Sequence, residues 1–225
     1  ELFDSVLWNI TSQNPTEIFV VINGKRNKAL EEVCKRYNSK NLEVIWTDTP
    51  GKRKALHLAF TMAKGDIFVL VDSDTIWTKN TLSELIKPFQ DKSIGGVTTH
   101  QKIYYPERTI FTRIADWMED IRASYSMPAM SVQGTVGCLP GRTIAFRKEI
   151  IIASLEKFRN ERFLGIHLEV SDDRALTNYT LMHGYKTFYQ STSIVYTDAP
   201  TRIGKFCRQQ LRWAQGSQYN TLKMI

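Results

Sequence analysis

The sequence has no long apolar run, few cysteines and no basic leader, and each absence excludes a class of protein. No stretch of about 18 or more apolar residues occurs, so the sequence predicts no transmembrane helix. The N-terminal segment Glu1–Ile10 lacks the basic and then apolar pattern of a secretory signal peptide. The three cysteines are odd in number and far apart, which argues against a disulfide framework or a zinc site.

The composition is that of a folded domain with an excess of positive charge. Apolar residues make up 42% of the 225 residues, which excludes the hydrophobic depletion of disordered proteins. The length favours one large domain over two complete ones. Thirty Lys and Arg residues against 23 Asp and Glu residues give a net charge of +7. This charge favours an anionic partner, such as nucleic acid, anionic lipid or a phosphorylated small molecule.

Short apolar runs alternate with amphipathic segments in the first half of the chain. The runs Ile18–Ile22, Leu42–Trp46 and Ile67–Val71 have the pattern of strands buried on both faces of a parallel sheet. Asn27–Tyr37 and Lys52–Lys64 between them show helical periodicity. The predicted fold class is therefore α/β, a βαβαβ unit in an open, mostly parallel sheet flanked by helices. Ligands of such sheets bind at the carboxyl ends of the strands.

The second half has a less regular pattern. The predicted segments are a helix over Thr78–Phe89, a strand over Gly96–Tyr104, a helix over Glu107–Tyr125, a turn-rich stretch over Met127–Arg142, a strand over Thr143–Arg147, a helix from Ser171–Asp173 to Gly184, and strands over Thr187–Gln190 and Ser193–Tyr196. The segment 201–225 is amphipathic, with an apolar stripe running from Ile203 to Ile225 and a cationic side.

Two aspartates directly follow the third predicted strand. Asp72 and Asp74 are separated by one residue, so their carboxylates point to the same side and offer oxygen ligands to a hard divalent cation. A solvated acidic turn is the simpler alternative. A strand ending in this pattern also resembles the nucleophile motif of haloacid-dehalogenase-like phosphatases, in which Asp72 attacks a phosphoryl group and Asp74 acts as the acid and base.

Three further segments carry residues suited to phosphate and proton chemistry. Gly51–Ala55 combines a glycine turn, consecutive cations and a helix N-terminus, which together favour an anion, although a solvated basic turn has the same pattern. Ser171–Arg174 opens a helix with two aspartates, of which one is able to cap the helix and the other to act as a general base. Arg208–Trp213 places a glutamine, an arginine and a tryptophan within one helical turn, a set able to clamp a diphosphate and stack on a ring, although an amphipathic helix with a core tryptophan has the same pattern.

Taken in order, the four motifs GKRKA at Gly51, DSD at Asp72, SDDR at Ser171 and QQLRW at Gln209 resemble those of processive family-2 glycosyltransferases of the GT-A fold. Hyaluronan synthases and their chitin and cellulose synthase relatives show the greatest resemblance. The resemblance implies a GT-A catalytic domain over residues 1–200 and an interfacial helix with the QxxRW motif over residues 201–225. It also implies inverting transfer of a sugar from a UDP-sugar to a hydroxyl of a growing β-linked polysaccharide.

The resemblance also implies a role for each motif residue. Asp72 and Asp74 meet the nucleotide and its Mg²⁺ or Mn²⁺, and Asp173 is the catalytic base. The implied donor-binding residues are Lys52, Arg53, Asp72, Asp74, Gln209, Arg212 and Trp213. The implied acceptor-binding residues are Cys138, Gly141, Asp172 and Trp213.

The chain departs from the family pattern in two places. The segment CLPGRTIAFR aligns with the acceptor-side segment CISGPLGMYR of hyaluronan synthases and keeps Cys138 and Gly141, but it has Pro140 and Arg142 where that family has Ser and Pro. The family's opening strand has no counterpart before Glu1. We therefore expect an N-terminally incomplete domain from a longer integral membrane protein.

We expect that protein to work at the cytoplasmic face of a membrane, where the basic helix over residues 201–225 rests on the bilayer surface. A UDP-sugar and a polysaccharide are the expected partners, and nucleic acid is not. Two alternatives have a different function. One is the phosphatase with Asp72 as nucleophile, which the absence of a phosphatase counterpart to QQLRW disfavours, and the other is a basic, non-catalytic module that binds nucleic acid.

Overall fold

The computed structural model describes residues 1–25, 27–37, 41–163, 165–167 and 171–222. The strands are β1 (Ile18–Asn23), β2 (Leu42–Thr47), β3 (Ile67–Val71), β4 (Thr75–Trp77), β5 (Ile94–Ile103), β6 (Thr143–Arg147), β7 (Arg162–Phe163), β8 (Ile166–His167) and β9 (Lys186–Thr197). The helices are α1 (Leu2–Thr11), α2 (Lys28–Arg36), α3 (Lys52–Met62), α4 (Thr81–Ile86), α5 (Ile110–Ile121), α6 (Met127–Val132), α7 (Lys148–Arg159), α8 (Asp172–Met182) and α9 (Ile203–Leu222).

The main sheet has five strands in the order β3-β6-β5-β9-β4. Strands β3, β5 and β9 run in one direction, whereas β6 and β4 run antiparallel to their neighbours. The α/β class is therefore confirmed. The prediction that the first three strands form one continuous βαβαβ sheet is wrong for the described residues, because β1 and β2 pair in parallel as a separate two-stranded sheet.

Two apolar clusters lie on opposite faces of the main sheet, and successive residues of β6 belong to one cluster and then to the other. Ile144 and Phe146 pack in a large cluster beneath α3, α7 and α8, and Ala145 packs in a smaller cluster that includes Leu85 of α4. Successive side chains of a strand point to opposite faces, so β6 contributes to both clusters. Phe60 of α3 stacks on Phe68 of β3 with ring centroids 5.6 Å apart. This packing holds α3 against β3 and so places the start of α3 beside the end of β3.

Several elements differ from the sequence predictions, which also lack the short strands β4, β7 and β8. The predicted strands over Thr187–Gln190 and Ser193–Tyr196 are parts of the single strand β9, because a register shift between Thr99 and His100 of β5 accommodates extra β9 residues as a bulge. The stretch predicted to be turn-rich begins with helix α6, which continues α5 through the π-helical turn Arg122–Ser126. Helix α7 was not predicted, although its buried residues Ile150, Ile151, Ser154 and Phe158 have helical spacing.

The amphipathic C-terminal segment forms one long helix. Helix α9 begins at Ile203 and continues to Leu222, and Ile225 of the predicted stripe lies outside the described residues. Its C-terminal half packs on α8 through the buried residues Gly216, Tyr219 and Asn220. Over the described ranges, no helix has the length and hydropathy needed to cross a membrane.

Candidate active site

The end of β3 and the start of α3 meet at one edge of the sheet. Gly51 precedes α3 with a φ of +116°, a left-handed conformation that glycine adopts without steric cost. This turn brings Lys52, the first residue of α3, to the carboxylate of Asp72 directly after β3. Two of the sequence motifs therefore share one contact at the carboxyl end of a strand, as predicted.

Lys52 connects this edge to the start of α8. Its Nζ lies 2.7 Å from Asp72 Oδ1 and 3.1 Å from Asp172 Oδ2. Burial by itself lowers the pKa of Lys52, but the negative charges of Asp172 and Asp72 outweigh it, so the pKa lies above its usual value. Lys52 is therefore a firmly protonated cation between two carboxylates, at the position where an anionic donor is expected.

Asp74 lies in the turn that leads from β3 to β4. Burial and the nearby charge of Asp72 raise the pKa of Asp74, whereas the charge of Arg142 lowers it. Two neighbouring carboxylates attract a divalent cation, because the cation neutralises the charge of both. Among the described residues no group of three or more His, Cys, Asp and Glu side chains is arranged to hold a metal. The two carboxylates thus fit a hard cation that takes its other oxygen ligands from a bound diphosphate.

The side chain of Asp173 faces the acceptor-side segment and does not cap helix α8. Its Oδ2 accepts a hydrogen bond of 3.2 Å from the Gly141 backbone N–H, and its Oδ1 accepts one of 2.8 Å from the Arg174 N–H. Ser171 occupies the N-cap position without a side-chain capping bond. Burial and the neighbouring charge of Asp172 raise the pKa of Asp173 above that of an ordinary carboxyl group. A carboxylate with raised proton affinity is suited to the role of a general base.

The acceptor-side segment is fixed directly against Asp173. A Cβ atom at Gly141 would lie 3.1 Å from the Asp173 Cβ, so glycine permits the close approach of the two backbones. Cys138 is partly buried beside Asp173, and burial raises the pKa of its thiol to about 12. The raised pKa favours the neutral thiol at physiological pH.

Arg142 is a residue of the site for which the sequence analysis assigned no role. Its Nη1 donates to Glu119 Oε1 at 2.7 Å and to Gln101 Oε1 at 2.9 Å, and its guanidinium lies 5.8 Å from the ring centroid of Trp213. The Asp72 N–H also donates to the Arg142 carbonyl. Arg142 therefore joins the turn after β3, helix α5 and the QxxRW tryptophan. The only feature of the sequence that pointed to Arg142 is that it stands where hyaluronan synthases have a proline.

Arg53 is predicted to bind the donor near its diphosphate, but its side chain faces the core rather than the contact between Lys52 and Asp72. Its side chain is 3% exposed, pairs with buried Glu161 and donates to the Phe158 and Ser171 carbonyls. Consecutive residues of a helix point about 100° apart, so Lys52 reaches the cleft while Arg53 reaches the core. Arg53 instead holds the carbonyl of Ser171, directly before α8.

The structure joins one of the three QxxRW residues to the cleft. Trp213 contacts Arg142, as described above. Gln209 is half-buried and Arg212 is exposed, and neither side chain has a hydrogen bond or ion pair within the part of the chain that the structure describes. The contacts of Lys52, Asp72, Asp172, Asp173, Gly141 and Arg142 thus bring the GKRKA, DSD and SDDR motifs and the CLPGRTIAFR segment together.

The chain matches one protein-family model over nearly its whole length. The model is described as glycosyltransferase like family 2, and it matches residues 2–216. The chain belongs to glycosyltransferase family 2. Such a match also accounts for the order of the four motifs, all of which lie within the matched range.

Relatives of this family member include polysaccharide synthases. It is 32% identical over 205 residues to a hyaluronan synthase of Streptococcus pyogenes, a match that covers 88% of this chain and 49% of that protein. It is 30% identical over 212 residues to an N-acetylglucosaminyltransferase of Azorhizobium caulinodans, covering 93% of this chain and 53% of that protein. The chain therefore spans about half the length of the curated relatives it matches.

A solved structure confirms the GT-A fold of this family-2 member. The mannosyltransferase PcManGT from Pyrobaculum calidifontis, solved in complex with GDP-Man and Mn²⁺, superposes with a TM-score of 0.70 at 21% identity. The superposition covers 99% of this chain and 60% of that one. The comparisons support neither the phosphatase nor the nucleic-acid-binding alternative.

Proposed function

We propose that this domain transfers a sugar, with inversion, from a UDP-sugar to a hydroxyl group of a growing β-linked polysaccharide. One observation carries the proposal. Lys52 lies between Asp72 on the donor side and Asp172 at the start of α8, and Asp173 beside it is hydrogen-bonded to the acceptor-side residue Gly141. Donor binding and proton removal therefore take place at the two sides of one cleft. The similarity to the hyaluronan synthase and the N-acetylglucosaminyltransferase supports this choice of substrates.

In the proposed mechanism Asp173 removes the proton of the acceptor hydroxyl. The hydroxyl oxygen then forms a bond to the anomeric carbon while the bond from that carbon to the UDP oxygen breaks, which inverts the configuration. The Gly141 N–H orients the Asp173 carboxylate toward the acceptor. Lys52 stabilises the negative charge that develops on the departing diphosphate.

Asp72 and Asp74 are the proposed ligands of Mg²⁺ or Mn²⁺. When bound, the cation neutralises the diphosphate and so makes UDP a better leaving group. We further propose that Gln209, Arg212 and Trp213 close over the donor. Cys138, Gly141, Asp172 and Trp213 line the proposed acceptor side.

We also propose the two-part organisation predicted from the sequence, with the catalytic domain over residues 1–200 and an interfacial helix over residues 201–225. In this arrangement α9 rests on the cytoplasmic face of a membrane. The cationic side chains on α9 and the preceding turn support the choice of an anionic surface.

A turnover experiment tests the proposed reaction. The chain is incubated with Mn²⁺ and each member of a UDP-sugar panel, with and without β-linked oligosaccharide acceptors, and UDP release is measured. We expect acceptor-stimulated release with one or two of the sugars, and none from Asp173→Asn. Binding of no UDP-sugar in the presence of Mn²⁺, or equal turnover by Asp173→Asn, would refute the proposal.

A further inference from the structure

The side chain of Arg142 is held by two buried acceptors before it reaches Trp213. Its Nη1 donates to Glu119 on α5 and to Gln101 on β5. Gln101 in turn donates through Nε2 to the Pro140 carbonyl at 3.0 Å, so its amide ties the acceptor-side segment to the same guanidinium. Gln101 and Glu119 are 4% and 6% exposed. The guanidinium keeps one orientation, because loss of either contact leaves a buried polar group with fewer partners.

Trp213 lies against this guanidinium and is otherwise partly open to solvent. The Arg142 Cζ lies over the indole, 5.8 Å from the ring centroid, and Trp213 is 36% exposed. A cation at this distance attracts the face of an aromatic ring through the ring quadrupole. Arg142 directly follows Gly141, whose N–H donates to Asp173 Oδ2 at 3.2 Å. The indole is therefore oriented by the residue next to the one that holds the proposed base.

We propose that Arg142 is a positioning residue, which orients the ring of Trp213 so that the exposed part of the indole receives a sugar ring of the acceptor. This inference rests on the proposed function, because a polysaccharide acceptor is part of that function. An indole offers a flat apolar surface with a polar N–H at its edge, which matches the apolar face and the hydroxyl groups of a pyranose ring. A ring that is already oriented loses less conformational freedom when the sugar binds.

The charge of Arg142 has a second effect, which an experiment must separate from the contact with Trp213. Burial raises the pKa of Asp74, and the charge of Arg142 opposes that rise. Lysine keeps the charge, but its compact ammonium lacks the planar fork that pairs with two oxygens while it covers an indole face. Arg142→Lys therefore retains a cation near Asp74 and an ion-pair partner for buried Glu119, and it removes the planar contact with Trp213.

A matched pair of arginine variants tests the positioning of Trp213. Arg122→Lys is the control for Arg142→Lys, because Arg122 pairs with the other carboxylate oxygen of Glu119 at 3.3 Å and, among the described residues, has no ring contact with Trp213. The chain has five tryptophans, and Trp213→Leu identifies the indole N–H signal of Trp213 in a two-dimensional NMR spectrum. In the 225-residue chain without nucleotide, we expect Arg142→Lys to shift this signal and Arg122→Lys to leave it in place.

Kinetics then separate the acceptor side from the donor side. In Arg142→Lys we expect KM for a β-linked oligosaccharide to rise about fivefold, because the indole is no longer held in one orientation, and KM for the UDP-sugar to change by less than about twofold. The double variant Arg142→Lys/Trp213→Leu should have the same oligosaccharide KM as Trp213→Leu alone, since Arg142 acts through the indole. Arg122→Lys should have the KM values of wild type.

Each of four results would overturn the positioning role. They are a Trp213 signal that is the same in wild type and Arg142→Lys, an oligosaccharide titration that leaves this signal in place with and without UDP, equal rises of the two KM values, and additive rises in the double variant. Absence of turnover with every UDP-sugar would instead refute the proposed reaction. The Trp213 signal would then still test the positioning role, because it is measured without turnover.

Discussion

At the scale of single residues, Asp173 combines burial with two backbone donors. Asp173→Asn keeps the size of the side chain but removes the basic oxygen, so we expect transfer to fall by at least about a thousandfold. UDP-sugar affinity should stay within about threefold of wild type, because the base acts on the acceptor proton. Calorimetry with UDP and single-turnover assays measure the two effects. A large loss of UDP affinity would show that Asp173 serves the donor.

The raised pKa of Asp173 predicts the pH dependence of transfer. Only the ionised carboxylate accepts a proton, so activity is lost as the pH falls through the pKa of Asp173. Because burial raises that pKa, we expect the acidic limb of the kcat profile to lie at a higher pH than an exposed aspartate would give. An acidic limb at the pH of an ordinary carboxyl group would contradict the environment described for Asp173.

Arg142 and buried Glu119 form a pair whose disruption should cost stability. Arg142→Met leaves Glu119 with Arg122, 3.3 Å away, as its remaining ion-pair partner, and we expect unfolding free energy to fall by about 2 kcal/mol. Urea denaturation measures this loss. The double variant with Glu119→Gln should recover part of it, because no buried charge then lacks its partner. Arg113→Met on the exposed side of α5 is the control, and a loss equal to that of Arg142→Met would argue against a structural pair.

At the scale of elements, the close approach of α9 to the start of α8 depends on Gly216. A Cβ atom at this position would lie 1.7 Å from Ser171 Oγ and 2.9 Å from Ser171 Cβ. We expect Gly216→Ala to cost about 2 kcal/mol in urea denaturation, because α9 must move away from α8. In a Ser171→Gly background the cost should be mostly relieved, since both clashing atoms are absent.

Gly204→Ala is the matched control for this contact on the same helix. A Cβ atom at Gly204 has nothing within 4 Å, so alanine there should leave stability unchanged or raise it by about 0.5 kcal/mol. If Gly204→Ala and Gly216→Ala had equal effects, the packing of α9 on α8 would not be the cause of the loss.

At the scale of the whole molecule, donor binding should stabilise the fold, because the cleft is assembled from β3, α3, α8 and the β6 segment. At about a hundredfold excess over Kd, UDP with Mn²⁺ should add about 2.7 kcal/mol and raise Tm by about 5–10 °C. Removal of Mn²⁺ with a chelator should abolish most of this shift. In Asp74→Asn we expect UDP to give the same small shift with and without Mn²⁺, whereas an undiminished Mn²⁺ effect would exclude Asp74 as a ligand.

The local elements and the donor-side cluster could be predicted from the sequence. Strands β1, β2, β3 and β6 and helices α2, α3 and α8 follow apolar periodicity, because burial repeats with the geometry of each element. The meeting of Lys52 with Asp72 follows from their positions at the ends of neighbouring elements, which one sheet edge brings together. The bulge in β9 and the separate pairing of β1 with β2 depend on contacts between distant segments, which periodicity does not encode.

The tertiary structure alone decided which way each side chain faces. Lys52 and Arg53 are adjacent cations, and only the rotation of α3 against the core places one in the cleft and the other against Glu161. The helical periodicity around Trp117 predicts a stripe but not its direction, since a stripe that covers the core has the same spacing as one that faces solvent. The sequence by itself determined the family, the elements and the order of the motifs, because these reside in local spacing. Orientation was decided by packing, because the burial of a side chain depends on every segment that surrounds it.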